Sequence, residues 1–185
     1  FLLITGPNGG GKTSLLRTIL RLQSPTKGRI SFFRQGEPVS SLDMGYLPQK
    51  NSIDSRFPIT VEEVVASGLI GNTQKGNTKF DSKKEIDEML DLMGITALRN
   101  KPIGVLSGGQ LQRSLFGRAL ISKPEMLILD EPASYIDRQF GNRMFEILRD
   151  LSSNGTTIMM VSHEIEPFIT LSNRNLYINH ILGDR

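Results

Sequence analysis

Phe1-Leu2-Leu3-Ile4-Thr5, followed by Gly6-Pro7-Asn8-Gly9-Gly10-Gly11-Lys12-Thr13, opens the chain and decides its fold. The first run is continuously apolar and closed by glycine, the pattern of a strand buried on both faces. Leu15, Leu16, Ile19 and Leu20 then fall at helical spacing, so the unit predicts strand, loop, helix. The octet between them fits G-x-x-x-x-G-K-[ST]. Its glycines let successive backbone amides converge on one concavity that cradles phosphates, and the helix N-terminus adds partial positive charge. Lys12 can reach β- and γ-phosphates, and the Thr13 hydroxyl can ligate Mg²⁺. The bland alternative is a flexible glycine turn with a stray lysine. A strand before it and a helix after it tell against that.

The rest of the 185-residue chain suits this beginning. The length is that of one domain with a real core. Apolar residues make up 38% and charged residues 22%, a folded rather than a disordered composition. No apolar run exceeds four residues, so no membrane-spanning helix, signal peptide or direct membrane insertion is expected. The absence of cysteine excludes disulfides, thiolate nucleophiles and Cys-ligated metal centres. A net charge of +3, with basic residues scattered rather than clustered, gives no reason to expect nucleic acid.

Strand and helix patterns alternate along the chain. Arg29 to Phe33 and Met44 to Leu47 are short strand candidates. From Lys50 to about Ser122 the character turns helical. Thr60 and Glu63 form a capping-box signature, Ser82 and Glu85 repeat it, and Ile86, Met89, Leu90 and Met93 make an apolar stripe ended by Gly94. The polar stretch Gly71 to Thr78 is expected to be a surface loop. Strand character returns in Met126-Leu127-Ile128-Leu129 and in Thr156 to Val161, with a helical pattern over Arg138 to Leu151 between them. Alternation of this kind predicts an α/β fold with a mainly parallel sheet. Residues 1–49 and 123–185 form the nucleotide-binding core, and 50–122 an inserted helical subdomain.

Two further motifs carry chemistry. Asp130-Glu131 closes a four-residue apolar strand, and ligands of parallel sheets sit at the carboxyl ends of strands. Asp130 would hold Mg²⁺, directly or through water, while Glu131 would polarise an attacking water. Leu106-Ser107-Gly108-Gly109-Gln110 precedes a helix with Leu111, Leu115 and Leu120 on one face. Ser107 is an N-cap candidate, and two glycines at a helix start expose amides suited to an anion. An ordinary capped helix does not account for the whole pentapeptide standing between a phosphate loop and an Asp-Glu pair.

Taken in order, these pieces make the sequence resemble the ATP-binding cassette of ABC ATPases, P-loop NTPases with an inserted α-helical subdomain. Gly6 to Thr13 match Walker A, and Gln49 in Tyr46-Leu47-Pro48-Gln49 the Q-loop. Leu106 to Gln110 match the signature, Met126 to Glu131 Walker B with its glutamate, Asp137 the D-loop, and His163 in Val161-Ser162-His163-Glu164 the switch. The resemblance implies ATP binding by Gly6, Pro7, Asn8, Gly9, Gly10, Gly11, Lys12, Thr13 and Ser14. It implies Mg²⁺ at Thr13, Gln49 and Asp130, and catalysis by Glu131, His163 and Gln49. It assigns Ser107, Gly108, Gly109 and Gln110 to the ATP of a partner protomer, in a head-to-tail homodimer that Asp137 crosses. It leaves His180 as a surface residue.

The resemblance also implies an upstream aromatic that stacks on adenine. Only five residues precede Gly6, so the family's first strands are expected to be missing, and with them the about 1–3 kcal/mol that base stacking contributes elsewhere. Ala133-Ser134-Tyr135-Ile136 is bulkier than the family's common version of this stretch.

The segment from Gln49 to Ser107 is too short for the long coiled coils of chromosome and double-strand-break ATPases. Gly45 to Gln49 and Phe57-Pro58-Ile59-Thr60-Val61 resemble the zinc/manganese import branch of ABC transporters. The implied protein is a peripheral ATPase at the cytoplasmic face of the cell membrane, bound to membrane permease subunits beside an apolar patch that includes Phe57 and Ile59. The alternative is a soluble ABC ATPase of an assembly or regulatory complex, of the iron–sulfur type. A third is a module that binds ATP without turnover, against which Glu131 and His163 speak.

Overall fold

The computed structural model describes residues 1–49, 58–70, 79–163, 166 and 168–179. The expected loop at 71–78, Phe57 and His180 lie outside them. The opening run forms β1 (Leu2–Thr5), and α1 (Lys12–Ile19) follows the glycine loop. A hairpin of β2 (Phe32–Arg34) and β3 (Glu37–Val39) comes next, then β4 (Met44–Leu47). Helices α2 (Val61–Ala66), α3 (Lys79–Leu92) and α4 (Gly108–Leu120) occupy the middle of the chain. The last part runs β5 (Met126–Asp130), α5 (Arg138–Ser153), β6 (Thr157–Val161) and β7 (Arg174–Tyr177).

Five strands make one sheet in the order β4-β5-β6-β1-β7, and every pairing in it is parallel. Side chains alternate across this sheet, so each strand feeds two cores. Ile4, Met126, Ile128 and Val161 point to one face, where Leu16 of α1 covers them. Leu3, Leu127, Leu129, Ile158 and Met160 point to the other, against Phe116 and Leu120 of α4 and Phe140, Met144 and Leu148 of α5. Burial on both faces is why β5 is apolar at every position before its terminal aspartate. The second core continues without a break into Val61, Val64 and Val65 of α2 and Leu90 and Met93 of α3. Gly45 lets α4 lie close to β4, because a Cβ there would stand 2.1 Å from the Ala119 carbonyl oxygen.

Several expectations change. The strand foreseen at Arg29 to Phe33 shrinks to Phe32–Arg34 and turns back on itself through Gln35 and Gly36, both with positive φ. Two such residues give the mirror-image turn that hairpins favour. Ser82 does not cap a helix: α3 already begins at Lys79, since Lys79-Phe80-Asp81 contains neither glycine nor proline to stop it. β7 went unforeseen because Arg174-Asn175-Leu176-Tyr177 is an edge strand, exposed throughout and without an apolar run. Ile59 is half-buried and packs against the large core, while its carbonyl accepts from Ile103 N at 3.0 Å; its partner in the expected apolar patch, Phe57, lies outside the described residues.

Candidate functional site

Because all strands of the sheet are parallel, their carboxyl ends share one edge. The phosphate loop leaves β1 there, Gln49 follows β4, Asp130-Glu131 ends β5, and His163 follows β6. Asn8 to Ser14, Gln49, Asp130, Glu131 and His163 line a single open cleft of about 180 Å³.

Positive φ at Gly6, Gly9 and Gly11 curls the loop. Gly6 also has the residue that follows β7 behind it: a Cβ would lie 1.9 Å from the Ile178 carbonyl oxygen. Gly11 caps α1 without a side-chain hydrogen bond, so the amides of the first helical turn remain available to an anion. Lys12, nearly buried, donates Nζ to the carbonyls of Gly6 at 2.8 Å and Pro7 at 2.9 Å. An ammonium has three N–H groups, which leaves one for a phosphate oxygen.

Thr13 Oγ1 donates to Asp130 Oδ2 at 2.9 Å, joining the helix to the end of β5. The other oxygen, Asp130 Oδ1, is buried with no hydrogen-bond partner. Burial holds this carboxyl above its ordinary pKa, against the opposing pull of Thr13 and Lys12. A threonine hydroxyl beside a carboxylate oxygen that lacks a partner is a hard-oxygen donor set, which fits Mg²⁺.

Glu131 leaves the strand in left-handed backbone, φ 52, with its N–H donating to Val161 O at 2.9 Å. That twist turns the carboxylate toward the cleft. Oε2 accepts from the His163 backbone N at 3.2 Å, and Oε1 lies 3.3 Å from His163 Nε2 without a hydrogen bond of good geometry. Burial raises the pKa of Glu131, while the His163 amide pulls the other way. Such a carboxylate suits a general base.

The signature residues are not in this cleft. Ser107 caps α4 and shares a reciprocal capping box with Gln110, Gln110 N to Ser107 Oγ at 3.2 Å and Ser107 N to Gln110 Oε1 at 3.0 Å. They line a second cleft with Gly108, Gly109, Arg113, Tyr135 and Asp137. Asp137 is the N-cap of α5, accepting from Phe140 N at 2.9 Å and pairing with Arg113. The Phe140 amide, with Arg113, holds the Asp137 carboxyl below its ordinary pKa. Sequence reasoning missed Arg113, Gln112 and Tyr135 as neighbours of these motifs. Gln112 is buried with its Nε2 on the Pro132 carbonyl at 3.3 Å, a contact across 20 residues that no local pattern announces.

A parallel sheet, a phosphate loop after β1, paired carboxylates at the end of β5 and a glycine-rich capped helix lining a second cleft define a P-loop NTPase. The chain matches the ABC transporter family over residues 1–134 and belongs to it. It is 40% identical over 186 aligned positions to a probable metal transport system ATP-binding protein of Chlamydia pneumoniae, covering 98% of this chain and 75% of that protein. It is 38% identical to the zinc uptake system ATP-binding protein ZurA of Listeria monocytogenes, covering 97% of this chain and 70% of that one. Its fold is similar to a dimeric ATP-binding cassette solved in a post-hydrolysis state with ADP and Pi. There the TM-score is 0.81 and the identity 26%, over 97% of this chain and 81% of that one. The protein is accordingly an ABC ATPase.

Proposed function

We propose that the chain is the ATP-hydrolysing subunit of a metal importer, with zinc or manganese as the transported solute. The observation that carries the catalytic part is the meeting of the Lys12 loop, Asp130, Glu131 and His163 on one sheet edge. The relatives named for metal transport and zinc uptake support the choice of solute.

In this reading the loop amides, Lys12 and Ser14 hold the ATP phosphates, and Thr13, Asp130 and Gln49 hold Mg²⁺. Bound with the nucleotide, Mg²⁺ offsets phosphate charge during transfer. Glu131 accepts hydrogen-bond donation from the attacking water and orients it toward the γ-phosphate. His163 keeps Glu131 in place and meets the γ-phosphate itself. Ser107, Gly108, Gly109 and Gln110 cap the nucleotide of the opposite protomer, so two ATP molecules join a head-to-tail homodimer that opens on hydrolysis. That signature and phosphate loop line separate clefts of one chain supports action in trans. Residues 50–122 serve as the helical subdomain, hinged at Gln49, that receives a membrane permease at the cytoplasmic face. Among the described residues no helix is long and apolar enough to cross a membrane, so the permease supplies the pathway.

Co-purification from membranes tests this directly. The tagged chain should retain a polytopic permease, and zinc or manganese uptake into vesicles holding both should require ATP and cease with Glu131→Gln. Uptake that persists in that variant, or a chain that recovers no membrane subunit, would falsify the proposal.

A further inference from the structure

Helix α5 has two faces. Phe140, Met144 and Leu148 are buried in the large core. On the other side Arg138, Gly141, Asn142, Phe145 and Glu146 recur at helical spacing and line an open groove of about 860 Å³. Its apolar lining includes the Phe145–Phe168 ring pair, 6.5 Å between centres.

Gly141 has no local reason to be glycine. It lies inside α5, where glycine is the least favourable residue after proline. Its backbone is helical, and a Cβ built on it would meet nothing within 4 Å. Neither backbone strain nor packing within the chain accounts for it. A missing side chain that leaves a notch in a groove points to close approach by another backbone.

The charges beside the notch show which backbone fits. Arg138 precedes it and Glu146 follows it, both exposed. Among the described residues no carboxylate pairs with Arg138, and Glu146 meets only Arg149 of its own helix. Two copies of α5 laid antiparallel about a two-fold axis at the notch would set Arg138 of each protomer beside the partner's Glu146. Gly141 and Asn142 would stand at the crossing. A stripe complementary to itself in this way is what a two-fold contact requires. Asp137 lines both this groove and the signature cleft, so the groove continues the face assigned to a second copy.

We propose that the groove beside α5 seats α5 of a second copy of this chain, crossing at Gly141, as a contact of the head-to-tail dimer outside both nucleotide clefts. It rests on the reading that the signature serves the partner's ATP. Both helices belong to the nucleotide-binding core, so the helical subdomain stays free to turn at Gln49. The contact aligns the two cores about one axis as ATP closes the dimer.

Sedimentation of the full chain with ATP and Mg²⁺, in the Glu131→Gln background that accumulates the dimer, tests the contact. Gly141→Leu fills the notch with a better helix former, so it should melt no lower than the parent. It should bind a fluorescent ATP analogue at the phosphate loop with unchanged affinity, while the dimer Kd rises at least about tenfold. Arg138→Glu and Glu146→Lys should each weaken the dimer at least about threefold, and the two together should restore it to within about twofold of the parent. Unchanged dimerisation in Gly141→Leu or in either charge variant would overturn the contact, as would a double variant no tighter than the singles. Lower melting of Gly141→Leu with weakened analogue binding would also overturn it, the defect then being general. So would a Gly141→Leu chain that dimerises as the parent but no longer recovers the permease from membranes, since the groove would then seat the permease. Glu131→Gln by itself separates the contact from the underlying reading. If it forms an ATP-dependent dimer that these substitutions leave alone, only the contact falls; if it forms none, both fall.

Discussion

Glu131 is the residue on which most depends. Replacing it by glutamine preserves shape and burial but removes the carboxylate proposed as the base, so turnover should fall by at least about 100-fold while nucleotide affinity stays. A steady-state ATPase assay beside equilibrium binding checks both. The same substitution has a pH signature. Burial raises the pKa of Glu131 and of Asp130, so the folded chain binds more protons than the unfolded one in the window above the ordinary carboxylate range. Stability is then lost as pH rises through that window. Glu131→Gln should therefore melt higher than the parent at neutral pH, with the difference shrinking as the pH falls to the ordinary carboxylate range. Asp137, held below its ordinary pKa by the Phe140 amide and Arg113, acts the other way: its contribution is lost as pH falls through the depressed value. Lys12→Ala should bind nucleotide far more weakly without unfolding. Gly6→Ala should do worse, since its Cβ meets the Ile178 carbonyl oxygen at 1.9 Å while φ is 142. Both a lower melting point and lost nucleotide binding are expected there.

At the scale of elements, two helices begin with the same device and have different duties. Thr60 and Ser107 each close a capping box, with Glu63 and Gln110 as partners. Removing either hydroxyl should cost about 1 kcal/mol. In a chain of this length that lowers Tm by roughly 2–4 °C. Only Ser107→Ala should also weaken the ATP-dependent dimer, a contrast that thermal melting and sizing chromatography resolve together. These caps were legible because a side chain three residues on answers the first turn, a wholly local rule. The strands β1, β4, β5 and β6 were legible for a similar reason, as short apolar runs bounded by turns. Ser82 with Glu85 satisfied the same local rule but lies inside α3, which has already begun at Lys79, whereas a cap needs non-helical backbone. β7 shows the opposite failure. Its ladder to β1, from Leu2 with Arg174 to Thr5 with Tyr177, holds an edge strand that needs no apolar run.

At the scale of the whole molecule, the cleft with the base and the cleft with the signature lie apart in one chain. On the proposal that the signature caps a partner's nucleotide, a complete ATP site requires a second copy. Glu131→Gln mixed with ATP and Mg²⁺ should sediment as a dimer, and chelation of the metal should return it to monomer. A persistent monomer with ATP bound would exclude the head-to-tail arrangement.

What the residues determined unaided is the chemistry of each motif. The Gly6 to Thr13 loop, the Asp130-Glu131 pair and the Ser107 cap act through backbone conformation and side chains within a few positions, so their order in the chain suffices to recognise them. Only the tertiary structure decided which of them meet. Parallel pairing in the order β4-β5-β6-β1-β7 brings Thr13 to Asp130, 117 residues apart, at 2.9 Å. The same packing sets Tyr135 over Gly108 and Gly109, in a backbone conformation that nothing in Ala133-Ser134-Tyr135-Ile136 announces. Contacts between distant segments depend on sheet order and on helices docking across the core. Local patterns carry no record of either.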